Sequence, residues 1–159
     1  MYNILVLCTG NSCRSVMTEA LLNHYGKEQI KAYSAGSHPT GKINEGTLAT
    51  FKRHGLSTEG YKSQSWEDFN DIPMDIVITV CDNAAGETCP LYLTKAVRAH
   101  WGVSDPGHVD GSEEAKIAAF EQTFATLTLR VKKMLELSLE TMPAEKLTAE
   151  LNTIGKLTA

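Results

Sequence analysis

Apolar positions along the chain fall into short unbroken runs and, between them, into stretches spaced three and four residues apart. The first pattern marks strands buried on both faces, and the second marks helices with one buried side. Asn3 to Leu7 is such a run (Ile4, Leu5, Val6, Leu7), too short for a helix. From Arg14 the spacing turns helical, with Val16, Met17, Ala20, Leu21 and Leu22 on one side, Glu19 on the other, and an end near Gly26. Ala32 to Ala35 reads as a second strand closed by Gly36. A helix from about Asn44 then turns Leu48, Phe51 and Leu56 inward and stops at Gly55. Ser65 caps a short helical turn, Trp66 to Phe69. Asp75 to Val80 is the clearest strand of the middle region, and Ala96 to His100 is the fourth. Gly102 to Gly111 is loop. Ser112, with Glu113 and Glu114 behind it, starts a long helix to about Leu139, with Ile117, Phe120, Phe124, Leu127, Val131, Met134 and Leu135 facing inward. Pro143 opens a last helix reaching about Ile154.

Strands alternating with helices predict an α/β protein: a four-stranded parallel, doubly wound sheet with helices on both faces, plus an extra C-terminal helix. The 159 residues read as one domain, 1–159, with 143–159 as a helical extension, since no repeat, low-complexity stretch or linker divides them. In such sheets ligands bind at the carboxyl ends of the strands. Cys8 and Cys81 each follow a predicted strand directly, and Asp105 lies in the loop after another, so all three are expected at one edge.

Chemistry concentrates in Cys8-Thr9-Gly10-Asn11-Ser12-Cys13-Arg14-Ser15. A loop curling from a strand end into a helix N-terminus turns its backbone N–H groups inward and forms an anion nest, reinforced by the helix dipole. Arg14, six residues after Cys8, closes the ring with a planar fork of donors suited to a tetrahedral oxyanion. The same donors are expected to lower the Cys8 pKa, leaving it largely thiolate near neutral pH. The site therefore suits attack by sulfur on phosphate or a look-alike. It is not a Walker loop, because no Gly-Lys-Ser/Thr follows the turn.

Composition narrows the partners. A formal net charge of -4 with no basic stripe predicts no nucleic-acid partner. No eighteen-residue apolar run and no signal-like start are present, so no membrane is expected and the cytoplasm is the predicted location. Four cysteines without a C-x2-C pair, and histidines at positions 24, 38, 54, 100 and 108 without ligand spacing, predict no metal.

Other candidates keep two readings each. Cys81 and Cys89 flank a bendable segment, and are either a thiol pair able to form a disulfide or two unrelated buried cysteines. Asp105-Pro106 is either a turn or the carboxylic acid that protonates a departing oxygen, with Asp110 as its rival. Cys13 packs inward as a small hydrophobe, with occasional bonding to Cys8 under oxidising stress as the lesser reading. Ser15 either begins the helix as a polar residue or donates to the Cys8 sulfur, and Asn11 orients the loop. Trp66 and Trp101 read as packing residues, and His100 and His108 as surface or supporting ones.

Taken together, CTGNSCRS (Cys8 to Ser15), YSAG (Tyr33 to Gly36), DIVITVC (Asp75 to Cys81), TCP (Thr88 to Pro90) and HWGVSDP (His100 to Pro106) resemble the low-molecular-weight protein tyrosine phosphatase fold, and within it the arsenate reductases. The resemblance implies arsenate reduction to arsenite for arsenic detoxification. Cys8 attacks arsenate held by Arg14 and the amides of Thr9, Gly10, Asn11, Ser12 and Cys13, and Asp105 is the acid. Cys81 then attacks Cys8, and Cys89 attacks Cys81. No bound cofactor is implied; thioredoxin or glutathione with glutaredoxin supplies electrons, and phosphate or sulfate competes with arsenate. The alternative is a low-molecular-weight protein tyrosine phosphatase or phosphomonoesterase, but Gly107 and His108 stand where such phosphatases carry aromatic residues. Seven residues separate Cys81 from Cys89, one more than in thioredoxin-coupled members, which leaves the donor open. A monovalent-cation site of some members matches at Asn11, Glu19 and Ser34, but Gln64 replaces a carboxylate there, so the site is not carried over.

Overall fold

β1 (Tyr2–Leu7) occupies the middle of the sheet because its last four residues are all apolar: Ile4, Leu5 and Val6 are fully buried and Leu7 nearly so. The computed structural model describes residues 1–81, 93 and 95–159. Among them β1 pairs in parallel with β2 (Ile30–Ala35) on one side and β3 (Ile76–Thr79) on the other. β4 (Val97–His100) lies beyond β3, giving the order β2-β1-β3-β4. The chain steps outward from β1 to β2 and then crosses back to β3. Right-handed crossovers in opposite directions put their helices on opposite faces and open a crevice between the carboxyl ends of β1 and β3.

The elements follow the sequence pattern with informative differences. β2 starts two residues earlier than the apolar run suggests, because Ile30 and Ala32 are buried while Lys31 points to solvent. It is an edge strand, so it alternates instead of running apolar throughout. α1 (Arg14–Gly26) and α2 (Glu45–Arg53, capped by the Asn44 side chain) begin where expected. α3 (Glu113–Leu135) begins at its Ser112 cap but ends four residues before Leu139. Leu137 and Leu139 still pack on the core, as part of a turn. Ile117, expected on the inner face, is 42% exposed; Phe120 takes the inner position, its ring lying against Gly46 of α2. α4 (Ala144–Ile154) packs on β4 through Leu147, Leu151 and Ile154, with Pro143 as its cap. No helix among the described residues is long and apolar enough to cross a membrane.

Candidate active site

The Cys8–Arg14 loop leaves the end of β1 and enters α1 at the β1/β3 crevice. Its shape is imposed from outside. The Thr9 carbonyl accepts from His38 N at 3.0 Å, and the Gly10 carbonyl accepts from Thr40 N and Ser63 Oγ, both at 3.0 Å. The Ser12 carbonyl accepts from Asn44 N at 2.9 Å and Thr47 Oγ1 at 3.3 Å. In a trans peptide the N–H points away from the C=O, so the Gly10, Asn11 and Cys13 N–H groups turn to the other side, into the loop. Asn11, fully buried at φ 46°, makes the reversal. Its Oδ1 accepts from Gln64 N, and its Nδ2 donates to Ser15 Oγ, both at 2.8 Å. Asn11 thus ties the loop to a neighbouring segment. Gly36 of the YSAG stretch backs the loop, where a Cβ would sit 2.3 Å from the Thr9 carbonyl oxygen and 2.6 Å from that of Cys8.

Arg14 opens α1 and reaches across the crevice. Its Nη1 donates to the Val103 carbonyl at 3.0 Å, and its Nη2 lies 3.6 Å from Asp105 Oδ2. Asp105 caps the short helical turn Pro106–His108, accepting from Gly107 N at 2.9 Å, with His108 Nε2 3.5 Å from its other oxygen. The structure therefore brings Asp105 to the loop, while its rival Asp110 is exposed.

Cys81, buried just past β3, lies at the same edge: its sulfur is 3.8 Å from Thr9 Oγ1, one residue along from Cys8. Cys89 lies outside the described residues. This placement of Cys81 corrects the expectation of a thiolate. The Cys81 hydrogen bond, and then burial, push the Cys8 thiol above its ordinary value, outweighing Arg14 and the Gly10 N–H. With a second sulfur beside it, the nest alone does not set the ionisation of Cys8. Cys13 packs inward as expected, pushed up to about 12 by burial against the opposing Thr47 hydroxyl. His100 is half-buried with Nδ1 2.8 Å from Thr79 Oγ1, and Trp101 is fully buried. Among the described residues, no group of three or more His, Cys, Asp or Glu forms a metal cage.

Helical spacing alone places Glu19 wrongly, although the resemblance names it together with Asn11 and Ser34. The helix wheel puts it on the polar side, yet it accepts from Ser34 of β2, and burial raises its pKa to about 7. Gln64 Nε2 donates to the Ser34 carbonyl, and Gln64 N donates to Asn11 Oδ1, so Ser34 and Gln64 stand between this acid and the loop. An acid whose folded pKa is raised binds more protons folded than unfolded, so stability falls as pH rises from about 4.5 toward 7. Glu19→Gln should therefore raise the melting temperature at pH 8 and leave it nearly unchanged at pH 5, as thermal melts at the two pH values will show.

The family model for low molecular weight phosphotyrosine protein phosphatase matches residues 3–150. An arsenate reductase of Bacillus subtilis (strain 168) is 35% identical over 133 residues, covering 84% of this chain and 94% of that protein. Among solved structures, an arsenate reductase from Archaeoglobus fulgidus superposes with a TM-score of 0.70 at 27% identity, covering 84% of this chain and 99% of that one. An arsenate reductase in a phosphate-binding state gives a TM-score of 0.68 at 26% identity, over 86% and 98% of the two chains. With its strand order, its nest and these relatives in agreement, the chain belongs to the low molecular weight phosphotyrosine protein phosphatase family.

Proposed function

We propose that this protein is an arsenate reductase that uses Cys8 as nucleophile and an internal thiol–disulfide relay. One observation carries the reading: Cys81, buried at the end of β3, stands beside the nest that Arg14 closes, its sulfur 3.8 Å from the Oγ1 of Thr9, the residue after Cys8. Ester hydrolysis needs one sulfur there; reduction needs a second within reach of the first.

The loop N–H groups and Arg14 bind the arsenate oxygens. The Cys8 sulfur attacks arsenic, forming an As–S bond. The thiol proton and an arsenate hydroxyl leave together as water, with Asp105 passing the proton to the departing oxygen. The Cys81 sulfur then attacks the Cys8 sulfur. An S–S bond forms, the As–S electron pair returns to arsenic, and arsenite departs reduced by two electrons. Cys89 attacks Cys81 in turn, releasing the Cys8 thiol and leaving a Cys81–Cys89 disulfide for an external thiol donor, thioredoxin or glutathione with glutaredoxin. Ser15 supports this site through Asn11. Phosphate and sulfate compete for the nest, and the chemistry fits a reducing cytoplasm. Phosphomonoester hydrolysis uses the same nest, Arg14 and Asp105, and is the alternative reading.

The test is arsenite production by the full chain with arsenate and either the thioredoxin system or glutathione plus glutaredoxin. Sustained arsenite release with one donor system is the expected result. Release with neither, alongside hydrolysis of a phosphomonoester, overturns reduction in favour of the phosphatase reading.

A further inference from the structure

Residues 151–159 lie beyond the stretch that matches the family model, which ends at 150. They are nevertheless seated on the strand end that feeds the site. Asn152 Oδ1 accepts from His100 N, and the Leu151 carbonyl accepts from Trp101 Nε1, both at 2.9 Å. Gly155 approaches so closely that a Cβ there would lie 2.3 Å from the His100 carbonyl oxygen. Arg130 of α3, 2% exposed, fastens the two together. Its Nη1 donates to the Trp101 carbonyl at 2.7 Å and to that of Gly102 at 3.2 Å, and its Nε donates to the Leu157 carbonyl at 3.0 Å. From the sheet side, Trp101 N donates to the Thr79 carbonyl and Val103 N to that of Val80. Residues 100–103 are thus held on two sides, and the next free carbonyl direction, that of Val103, is aimed at Arg14 Nη1.

We infer that the 151–157 segment, with Asn152 and Arg130 as its positioning residues, sets the direction of the Arg14 guanidinium. It does so by fixing the Val103 carbonyl, and so tunes oxyanion affinity from outside the family's common body. An arginine fork discriminates by orientation, so a carbonyl that orients one nitrogen also aims the other toward the anion. Cover for the β4 edge is the competing explanation, because sheet edges are commonly blunted in this way. Edge cover acts on stability alone; positioning acts through Arg14. The inference rests on the oxyanion site proposed above.

The test is a double-mutant cycle on the full chain, reading how well inorganic phosphate protects Cys8 from iodoacetamide, well below each variant's melting temperature. Asn152→Ala should weaken phosphate binding about fivefold, the scale of one lost orienting hydrogen bond. It should raise the KM for arsenate similarly with little change in kcat. In an Arg14→Lys background the same substitution should change phosphate affinity less than about 1.5-fold. Gly155→Ala, which wedges a methyl group toward His100, should repeat the pattern by an independent route. An Asn152→Ala effect of equal size in both backgrounds, or a lowered melting temperature with unchanged affinity, overturns the inference. Wild-type protein that phosphate does not protect would overturn the oxyanion site and this inference together.

Discussion

Cys81→Ser is expected to bind oxyanions normally and to release at most one arsenite per chain, a loss of sustained turnover to background. Serine is nearly isosteric with cysteine, and Cys81 is buried at a strand end, so the fold should tolerate the change. What it removes is the second sulfur at the rim beside Cys8, and an alcohol oxygen cannot form the disulfide that drives arsenic out as arsenite. The same variant tests the ionisation of the pair. Because the Cys81 hydrogen bond is the largest influence holding the Cys8 proton, its removal should move Cys8 alkylation by iodoacetamide to lower pH. A phosphatase would keep its rate, and gain at low pH, in this variant. Arsenite release that continues through many turnovers would show that the relay does not run through Cys81.

Arg14→Lys should cost about 10²–10³ in kcat/KM for arsenate despite keeping the positive charge. The guanidinium holds the Val103 carbonyl with one nitrogen and faces Asp105 with the other, fixing its plane across the nest. An ammonium offers one compact centre and cannot keep those contacts while also presenting two parallel donors to an anion. Losing one preorganised donor of this kind typically costs about 3–4 kcal/mol at the transition state. Asp105 would also lose the partner that faces it, so both KM and kcat should suffer. Steady-state kinetics on arsenate, with phosphate protection of Cys8 as the binding control, will measure the split. A loss smaller than about threefold would mean that the backbone N–H groups alone carry oxyanion recognition.

Much of this site could be read directly from the chain. A run of four apolar residues, a turn of small residues and a helical repeat beginning at Arg14 are all local patterns, and local patterns survive in a single sequence. They located Cys8 and Arg14 at the mouth of a sheet and, with parallel topology, placed Cys81 and Asp105 on the same rim. Ile117 and the end of α3 depart from that pattern for a related reason. Helical periodicity specifies a stripe, but Phe120 meeting Gly46 decides which side of the stripe is covered.

The rest depended on contacts between residues far apart in the chain. Loop carbonyls are turned outward by His38, Thr40, Ser63 and Asn44, none of which has a pattern of its own. Glu19 became a buried acid only because β2 brought Ser34 against it, and no propensity scale registers such an environment. The Cys8 pKa, expected low from the nest, is raised by a sulfur that the sheet brings alongside, and electrostatics in a low-dielectric crevice is decided by the nearest neighbour. The seating of residues 151–157 behind Arg14 is of the same kind. Sequence by itself determined which chemical groups are present and the order of the elements that carry them; their protonation, their aim and their supports came only from packing, because each is a property of distance in space.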